Sequence, residues 1–307
     1  TWVGLVLNRP SSDSRLRGFT LRDAGSSTNY EGGIHIIGGD VDVSDCVVDD
    51  NLRWGIYALG TSSNPLDLSV SRCSLTDTVA GTLGDETGSG LFVADNPNAL
   101  VIVDDVTATG NDYAPVQLHA NSVSGLEGVA AGSSWGGNGV DWIHVHGGNI
   151  RTGTHDWGDL GIPYYLARSV FVAGPAGPLL TTTGTTLLVG PGRSLEIGVS
   201  SAGDLFADGV MFTSARETPL PGDWRGILLG GQTTFRTEIT GSTIEYGGAL
   251  NYSVNANLQI RASDVTITDT MLSDSSGAGV RCTNGAIPSL NNLSFDANAA
   301  LDIDDCS

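Results

Sequence analysis

The sequence contains no lysine, so its 14 basic residues are all arginine. They are opposed by 34 acidic residues, and the net charge at pH 7 is -20. A field of this sign repels nucleic acid and anionic membrane surfaces. It also repels uronic-acid polysaccharides unless cations or a cluster of arginines intervene. The composition therefore disfavours polyanionic partners and excludes a typical nucleic-acid-binding surface.

Long apolar runs are missing as well. No stretch of about 18 or more apolar residues occurs, so no membrane-spanning helix is predicted. No charged segment precedes a short apolar one, as it would in a secretory signal, and any export signal is expected outside this sequence. With only four cysteines in 307 residues, a fold held together mainly by disulfides is also excluded.

What the chain does contain is a repeat. A triplet of apolar or small residues, separated by polar ones, begins with Leu16, Phe19 and Leu21 and returns 27 residues later. Including that one, six further copies follow, four in all up to residue 108 and three more from residue 239 on, with spacings of about 23 to 33 residues on either side of a less regular middle. They are Val43, Cys46, Val48; Val70, Cys73, Leu75; Val103, Val106, Ala108; Ile239, Ser242, Ile244; Ile267, Thr270, Leu272; and Leu290, Leu293, Phe295.

The residues around each triplet indicate strands. They are β-branched or small, alternate with polar residues and are punctuated by Gly, Asn and Asp. Short strands that pair in parallel with their counterparts one coil further on form a parallel β-helix, whose crossovers are right-handed. We therefore predict an all-β fold, a right-handed parallel β-helix (solenoid) of roughly ten coils. A first stack over 1–156 and a second over 157–307 are expected to be continuous.

Six segments of the chain carry a recognisable pattern: SRLRGFTLRDAG, DVDVSDCVVDDN and, further on, GIPYYLARSVFVAGPAG, LLVGPGRSLEIG, MFTSARETPLPGDWRGILL and STIEYGG. They resemble the right-handed parallel β-helix (pectin-lyase-like) repeat proteins of bacterial surfaces and secretions. The resemblance implies the fold. It says little about function, because the same fold carries lyases, hydrolases, adhesins and structural filaments.

The motifs of the enzymatic members are only partly present. Polygalacturonase-like members carry NTD, DD, GHG and RIK motifs in that order, whereas this chain has DD pairs at 49–50, 104–105 and 304–305 but no GHG and no RIK. Lyases that use a lysine base are excluded by its absence, which leaves Arg22, Arg53 and Arg72 as candidate bases. Arg72, however, aligns with Asp45 and Asp105 of the flanking coils, and an alternating charge column explains it without catalysis.

Histidines and tryptophans concentrate in the segment 119–165, which departs from the repeat. One hypothesis is a metal or acid–base cluster, since His144 and His146 share one strand face. Its members would be His144, His146, His155, Asp141, Asp156 and Asp159. The other is a junction between two stacks that leaves both histidines on the outward face. Trp224, in GDWRGI, is interpreted as a packing residue rather than a sugar platform.

Three aspartates stand seven positions after the first residue of three successive triplets: Asp23, Asp50 and Asp77. Neighbouring coils lie about 4.8 Å apart, so stacked carboxylates repel unless turn amides or a cation compensate. Turn chemistry is one explanation, and asparagines one position further on, such as Asn51, Asn111 and Asn298, fit it. Calcium bridging is the other. No other cofactor is predicted.

The cysteines fall into two pairs, each separated by one coil. Cys46 and Cys73 occupy the inward column of Phe19, so they are expected to touch, either as a disulfide or as a reduced buried pair. A disulfide between Cys282 and Cys306 would join the last two coils. In an exported protein, this disulfide is expected more strongly than the one between Cys46 and Cys73.

These observations favour a non-catalytic secreted or cell-surface protein with a structural or adhesive role, located outside the cell or on its surface. The alternative is a carbohydrate-active enzyme (polysaccharide lyase-like) or a carbohydrate-binding solenoid, with a polysaccharide in an exterior groove along one strand column. Such a site needs aromatic residues in one column, and in the sequence they appear scattered. Neither end offers a capping helix, which has three explanations: the sequence is a piece of a longer protein, its loops fold back as caps, or the ends dock onto other copies. The last would build an extracellular filament by end-to-end self-association.

Overall fold

The computed structural model describes residues 2–10, 13–25, 32–61, 63–81, 86–94, 99–126, 128, 132–249 and 255–306. Within these ranges the chain forms thirty β-strands and one 3-10 helix. No helix among them has the length and apolar character needed to cross a bilayer. The predicted all-β class is confirmed, and every pairing between the strands is parallel.

The chain divides into two compact units. The first contains Thr1–His146 and Leu160–Pro163, and the second contains Gly147–Asp159 and Tyr164–Ser307. Each unit is a parallel β-helix with its own buried core. The division predicted between residues 156 and 157 stays a prediction.

Eleven strands and the 3-10 helix η1 belong to the first unit. Strands β1, β4, β6, β8, β10 and β11 pair in that order, β2, β5, β7 and β9 form a second ladder, and β3 also pairs with β5. The bounds are β1 Leu5–Asn8, β2 Ser14–Arg17, β3 Thr20–Arg22, β4 Ile34–Ile37, β5 Gly39–Asp49, β6 Trp54–Leu59, β7 Leu66–Thr76, β8 Ser89–Val93, β9 Leu100–Thr109, β10 Val116–Leu118, η1 Ala120–Gly125 and β11 Ile143–Val145.

The second unit has three ladders. They run β12-β15-β18-β21-β24-β27-β30, β13-β16-β19-β22-β25-β28 and β14-β17-β20-β23-β26-β29. The bounds are β12 Gly148–Ile150, β13 Thr154–Trp157, β14 Tyr164–Leu166, β15 Val170–Val172, β16 Leu179–Thr183, β17 Thr186–Val189, β18 Ser194–Ile197, β19 Asp204–Asp208, β20 Met211–Ser214, β21 Gly226–Leu229, β22 Thr237–Thr240, β23 Thr243–Glu245, β24 Ala256–Ile260, β25 Val265–Thr268, β26 Met271–Ser273, β27 Ala278–Cys282, β28 Ser289–Asn291, β29 Ser294–Asp296 and β30 Ile303–Asp304.

The repeated triplet forms the interior columns. Val43, Val70 and Val103 pair in register and are fully buried, and Ile239 and Ile267 do the same in the second unit. The last copy is only half-buried at Leu290, Leu293 and Phe295. A shift of the register by one residue would turn these apolar side chains outward, so the apolar pattern specifies the register.

The long strands of the first unit bend sharply at residues with positive φ. Asp45, Arg72 and Asp105 have φ of 53°, 50° and 51°, and each interrupts the alternation within one of the long strands β5, β7 and β9. Aspartate tolerates this left-handed conformation better than most residues, whereas arginine is unusual there. The bend in each coil is thus encoded at the same position of the repeat.

Asparagines one turn further on connect successive coils. The Oδ1 atoms of Asn51, Asn111 and Asn298 accept hydrogen bonds from backbone amides of the preceding coil at 3.1, 3.2 and 3.1 Å. Asn138, which the sequence did not single out, extends the column by accepting from the Asn111 amide at 3.2 Å. Buried backbone groups at the corner therefore find partners in side chains.

The motif GDWRGI folds as a packing element. The Trp224 ring is fully buried, and its Nε1 donates to the Glu245 carbonyl at 2.8 Å. Asp223 accepts hydrogen bonds from the Ser214 hydroxyl at 2.7 Å and from the Leu220 amide at 2.8 Å. This tryptophan is a core residue, as the sequence interpretation held.

Candidate functional site

One column of side chains in the first unit points away from the core and is rich in aromatic rings, with two members half-buried and three buried. Strands β4, β6, β8, β10 and β11 place five residues in register, and residues paired in a parallel ladder project to the same face. The column, called here the aromatic column, consists of His35, Tyr57, Phe92, Gln117 and His144. It alternates with the buried Ile34, Ile56 and Leu91 of the core.

The rings of this column are in mutual contact. Tyr57 and Phe92 stack with centroids 5.3 Å apart and planes only 5° from parallel, and His35 lies 4.8 Å from Tyr57. Trp54 packs beside both rings, 5.1 Å from Tyr57 and 4.8 Å from Phe92. Tyr57 and Phe92 are each half-buried, so part of this stack is accessible from solvent.

Gln117 places a fixed amide between Phe92 and His144. Its Nε2 donates to the Ser89 hydroxyl and to the Glu86 carbonyl, both at 2.7 Å, and the side chain is fully buried. In the described part of the chain, its Oε1 has no hydrogen-bond partner. An unsatisfied buried acceptor is costly, and such groups are concentrated where proteins bind ligands or waters.

A hydrogen bond joins two titratable groups next to this amide. The Tyr113 hydroxyl lies 2.9 Å from His144 Nδ1, and Tyr113 is half-buried while His144 is fully buried. His146 packs 4.7 Å from the His144 ring and edge-on to Phe92 at 5.1 Å. The face thus combines aromatic rings with hydroxyl, imidazole and amide groups.

The sequence did not reveal this column, and its interpretation of the aromatic residues as scattered is corrected by the structure. Successive members lie 22, 35, 25 and 27 residues apart, because loops of different lengths separate the strands. Only the strand register brings them together. In each of the motifs GGIHI, GIY and GLF, one residue points away from the core, and this position is the signal from which the column could have been found.

The six-residue histidine cluster is not assembled as the metal hypothesis required. In the first unit His144 is fully buried and His146 half-buried, whereas His155 belongs to the second unit, where its Nε2 donates to the Thr152 carbonyl at 2.9 Å. In the ranges that the structure describes, no group of three or more His, Cys, Asp or Glu side chains is arranged to hold a metal ion.

The aspartate column lies at a corner, as its turn chemistry predicts. Asp23, Asp50 and Asp77 have φ of 53°, 53° and 51°, and all three are exposed. This left-handed conformation is the one that aspartate supports in turns. Calcium bridging between neighbouring carboxylates stays a proposal.

The calcium proposal predicts a change in thermal stability. Millimolar Ca2+ should raise the unfolding midpoint relative to EDTA, because a cation between stacked carboxylates relieves their repulsion. Scans of the wild type and of an Asp50→Asn variant would measure the effect, which the variant should reduce. Identical midpoints in Ca2+ and EDTA would leave turn chemistry as the role of the column.

The three candidate arginine bases are engaged in structural contacts. Arg72 donates to both carboxylate oxygens of Asp45 at 2.7 and 3.1 Å, and Arg17 donates to the same group at 2.7 Å. The Arg72 and Arg17 guanidinium groups lower the pKa of Asp45 to about 2. Arg22 pairs with Asp49 at 3.0 Å, and the buried Arg53 lies 5.8 Å from the Trp54 ring centroid.

Both cysteine pairs are disulfides in the structure. Cys46 bonds Cys73 with Cα atoms 4.5 Å apart, and Cys282 bonds Cys306 with Cα atoms 4.8 Å apart. Each bond joins two adjacent coils, 27 and 24 residues apart along the chain. No cysteine is left as a free thiol, and all four lie in the described ranges.

Comparison with known proteins identifies no relative: no protein-family model, no curated protein and no solved structure matches the chain.

Proposed function

We propose that the protein is a non-catalytic, secreted or cell-surface adhesive β-helix of the pectin-lyase-like type that binds a neutral glycan at the aromatic column. The observation that carries this proposal is the in-register column His35, Tyr57, Phe92, Gln117 and His144, directed away from the core. Binding sites for small polar ligands typically combine aromatic walls with a few fixed polar groups.

The chemistry of the column suits a sugar. The half-buried rings of Tyr57 and Phe92 offer apolar contact area to the C–H groups of a sugar ring. The Tyr113 hydroxyl, on a half-buried side chain beside the column, adds a hydrogen-bonding group held in place by His144. With a net charge of -20, the protein should prefer an uncharged glycan at a column whose five members include no arginine.

The composition of the column argues against glycoside hydrolysis. That reaction uses a pair of carboxyl groups on either side of the scissile bond. None of the five residues of the column is Asp or Glu. Binding without bond cleavage is therefore preferred over the hydrolase alternative.

A location outside the cell is supported by the two disulfides. Disulfides persist in oxidising compartments and are rare where cytosolic reductants keep thiols reduced. Both disulfides join adjacent coils, so they would help to hold the solenoid together outside the cell.

The decisive experiment is a binding screen with neutral oligosaccharides, namely cello-, xylo-, manno- and malto-hexaose. We expect at least one to bind the wild type, and Tyr57→Ala and Phe92→Ala each to weaken it about tenfold, the effect of losing roughly 1.4 kcal/mol of contact. The control is Phe206→Ala, which removes a half-buried outward ring in the second unit.

Two results would count against this proposal. If no neutral oligosaccharide binds, or if both first-unit variants bind as tightly as the wild type, the column is a packing element. Release of shortened or unsaturated products during the same incubation would favour the enzymatic alternative instead.

End-to-end self-association into a filament stays a prediction. Contacts of this head-to-tail kind do not close on themselves, so particle mass should increase with protein concentration. Light scattering over a hundredfold concentration range, followed by electron microscopy, would measure it. A constant monomer mass without elongated particles would contradict it.

A further inference from the structure

The first coil of the first unit is covered on one side only. Each of the strands β1, β2 and β3 pairs with a strand of the next coil, and within the described ranges none has a partner on its other side. Leu5 and Leu16 are therefore half-buried, whereas their partners Ile34 and Val43 are fully buried. Both line a groove of about 650 Å³ together with Trp2, which is 49% exposed.

The last coil of the second unit is open in the same way. Strands β28, β29 and β30 end the three ladders of this unit in the part of the chain that the structure describes. Phe295 is half-buried and Ile303 is 43% exposed, whereas their partners Leu272 and Val280 are fully buried. Exposed apolar surface of this kind, at positions that other coils bury, typically marks a contact with another molecule.

The two open coils carry opposite charges. Residues 2–25 contain four arginines and two aspartates, although acidic residues outnumber basic ones by 34 to 14 in the whole chain. Residues 287–306 contain four aspartates and no arginine. The charged residues of the first coil are Arg9, Asp13, Arg15, Arg17, Arg22 and Asp23, and those of the last coil are Asp296, Asp302, Asp304 and Asp305. The first coil is thus a local exception to the acidic character of the chain.

The arginines beside the groove stay accessible despite their contacts within the unit. Arg15, Arg17 and Arg22 border the groove next to its apolar side chains. Arg17 and Arg22 pair with Asp45 and Asp49 at 2.7 and 3.0 Å, yet their side chains are 73% and 59% exposed. Exposed ion pairs of this kind are weak, and a guanidinium group has five N–H donors, so each arginine can also bind a second carboxylate.

The aspartates of the last coil are accessible as well. Asp296 and Asp302 are exposed, and Asp304 is half-buried, where it pairs with Arg281 at 3.5 Å. Asp302 accepts a long hydrogen bond from Asn298 Nδ2 at 3.4 Å. Because an ionised carboxylate accepts several hydrogen bonds, these contacts leave capacity for an arginine of another molecule.

Charge selects among the contacts that two copies could form through these coils. Two first coils in contact would oppose arginines to arginines, and two last coils would oppose aspartates to aspartates, and both juxtapositions are unfavourable. A first coil against a last coil opposes arginines to aspartates and also covers the exposed apolar side chains of both. The favoured occupant of each open coil is therefore the opposite coil of a second copy.

We propose that the last coil of one copy docks onto the first coil of another, with Arg15, Arg17 and Arg22 facing the aspartates of the docked coil. This inference rests on the end-to-end association predicted above and assigns its two surfaces. The contact is heterologous, so a pair of copies keeps one open coil of each kind and further copies can add. None of the five residues of the aromatic column belongs to either coil.

Two variants each disable one surface. Arg15→Glu with Arg17→Glu reverses the charge beside the groove, and Asp45 keeps its hydrogen bond from Arg72 at 2.7 Å. Asp296→Arg with Asp302→Arg reverses the charge of the last coil at two exposed positions. The matched controls change the net charge by the same amounts at exposed positions outside both coils, and they are Arg151→Glu with Arg193→Glu, and Asp208→Arg with Asp264→Arg.

The measurement is sedimentation velocity over a hundredfold concentration range at low salt. We expect the mass of the wild type and of both controls to increase with concentration, and each coil variant alone to stay monomeric. An equimolar mixture of the two coil variants should form a dimer and nothing larger, because each variant supplies the one intact surface that the other lacks. A chain that carries all four substitutions should associate again, since its reversed charges are complementary. Association should weaken as salt rises.

Each contrary result has a separate meaning. A wild type that is monomeric at every concentration overturns both this proposal and the end-to-end prediction. Association of the wild type that neither coil variant weakens, or that the controls weaken equally, overturns the assignment of the two surfaces alone. A coil variant that forms dimers by itself shows contact between like coils and also overturns it.

Thermal unfolding checks that every variant is folded. If a double substitution unfolds the chain, Arg15→Glu and Asp296→Arg replace the pairs as single substitutions, and each should associate at least tenfold more weakly than the wild type. Single variants with wild-type association would then overturn the proposal.

Discussion

Removing a disulfide should destabilise the protein more than any surface substitution. We expect Cys46→Ala with Cys73→Ala, and separately Cys282→Ala with Cys306→Ala, to lower the free energy of unfolding by roughly 3.5 kcal/mol each. The reason is that each bond closes a loop of 27 or 24 residues and so restricts the unfolded chain. Guanidinium denaturation of the wild type and both double variants measures the loss.

Two controls keep this expectation testable. Reducing agent should destabilise the wild type and leave a variant without cysteines unchanged. Thiol titration of the unfolded, unreduced protein should detect no free thiol, because all four cysteines are bonded. Two free thiols would show that one pair is reduced in solution, and four would contradict both bonds.

Replacing Asn111 with alanine should cost about 3 kcal/mol, since it leaves buried backbone groups without partners at about 1–3 kcal/mol each. The Asn111 side chain is almost fully buried, accepts from the Thr78 amide at 3.2 Å and donates to the Leu75 carbonyl at 3.1 Å. Thermal and denaturant unfolding would measure the change. The control is Asn8→Ala on an exposed position, which should change stability little.

An equal loss in both asparagine variants would contradict the role given to the buried column. So would a loss in Asn111→Ala below that of Asn8→Ala. The loss of stability should be confined to the first unit, because Asn111 connects coils of that unit only. Hydrogen exchange of the variant measures where the loss occurs.

The fold could be predicted from the sequence because each coil of a solenoid repeats the same pattern of buried residues and turn residues. The triplet that begins with Val43 must bury the same face as the triplet that begins with Val70, so the pattern returns every coil. The αL corners were visible as well, since Asp and Asn recur there for conformational reasons. Asn138 was missed because the triplet before it is less regular.

The outward columns could not be predicted in the same way. Their composition is not constrained by burial, and the loops before them differ in length. The members of the aromatic column are separated by 22 to 35 residues. Only the strand register converts these unequal spacings into neighbours. The residues themselves are visible in the sequence. Which of them become neighbours depends on the strand pairings between coils.

The most direct measurement of the central claim is hydrogen exchange of the wild type with and without the tightest-binding neutral oligosaccharide of the screen. The account predicts slower exchange in 54–59, 89–93 and 116–118, the strands that carry Tyr57, Phe92 and Gln117. Exchange in the second unit should stay unchanged. Protection that is absent from these three strands, or that occurs only in the second unit, would contradict the assignment of the aromatic column as the glycan site.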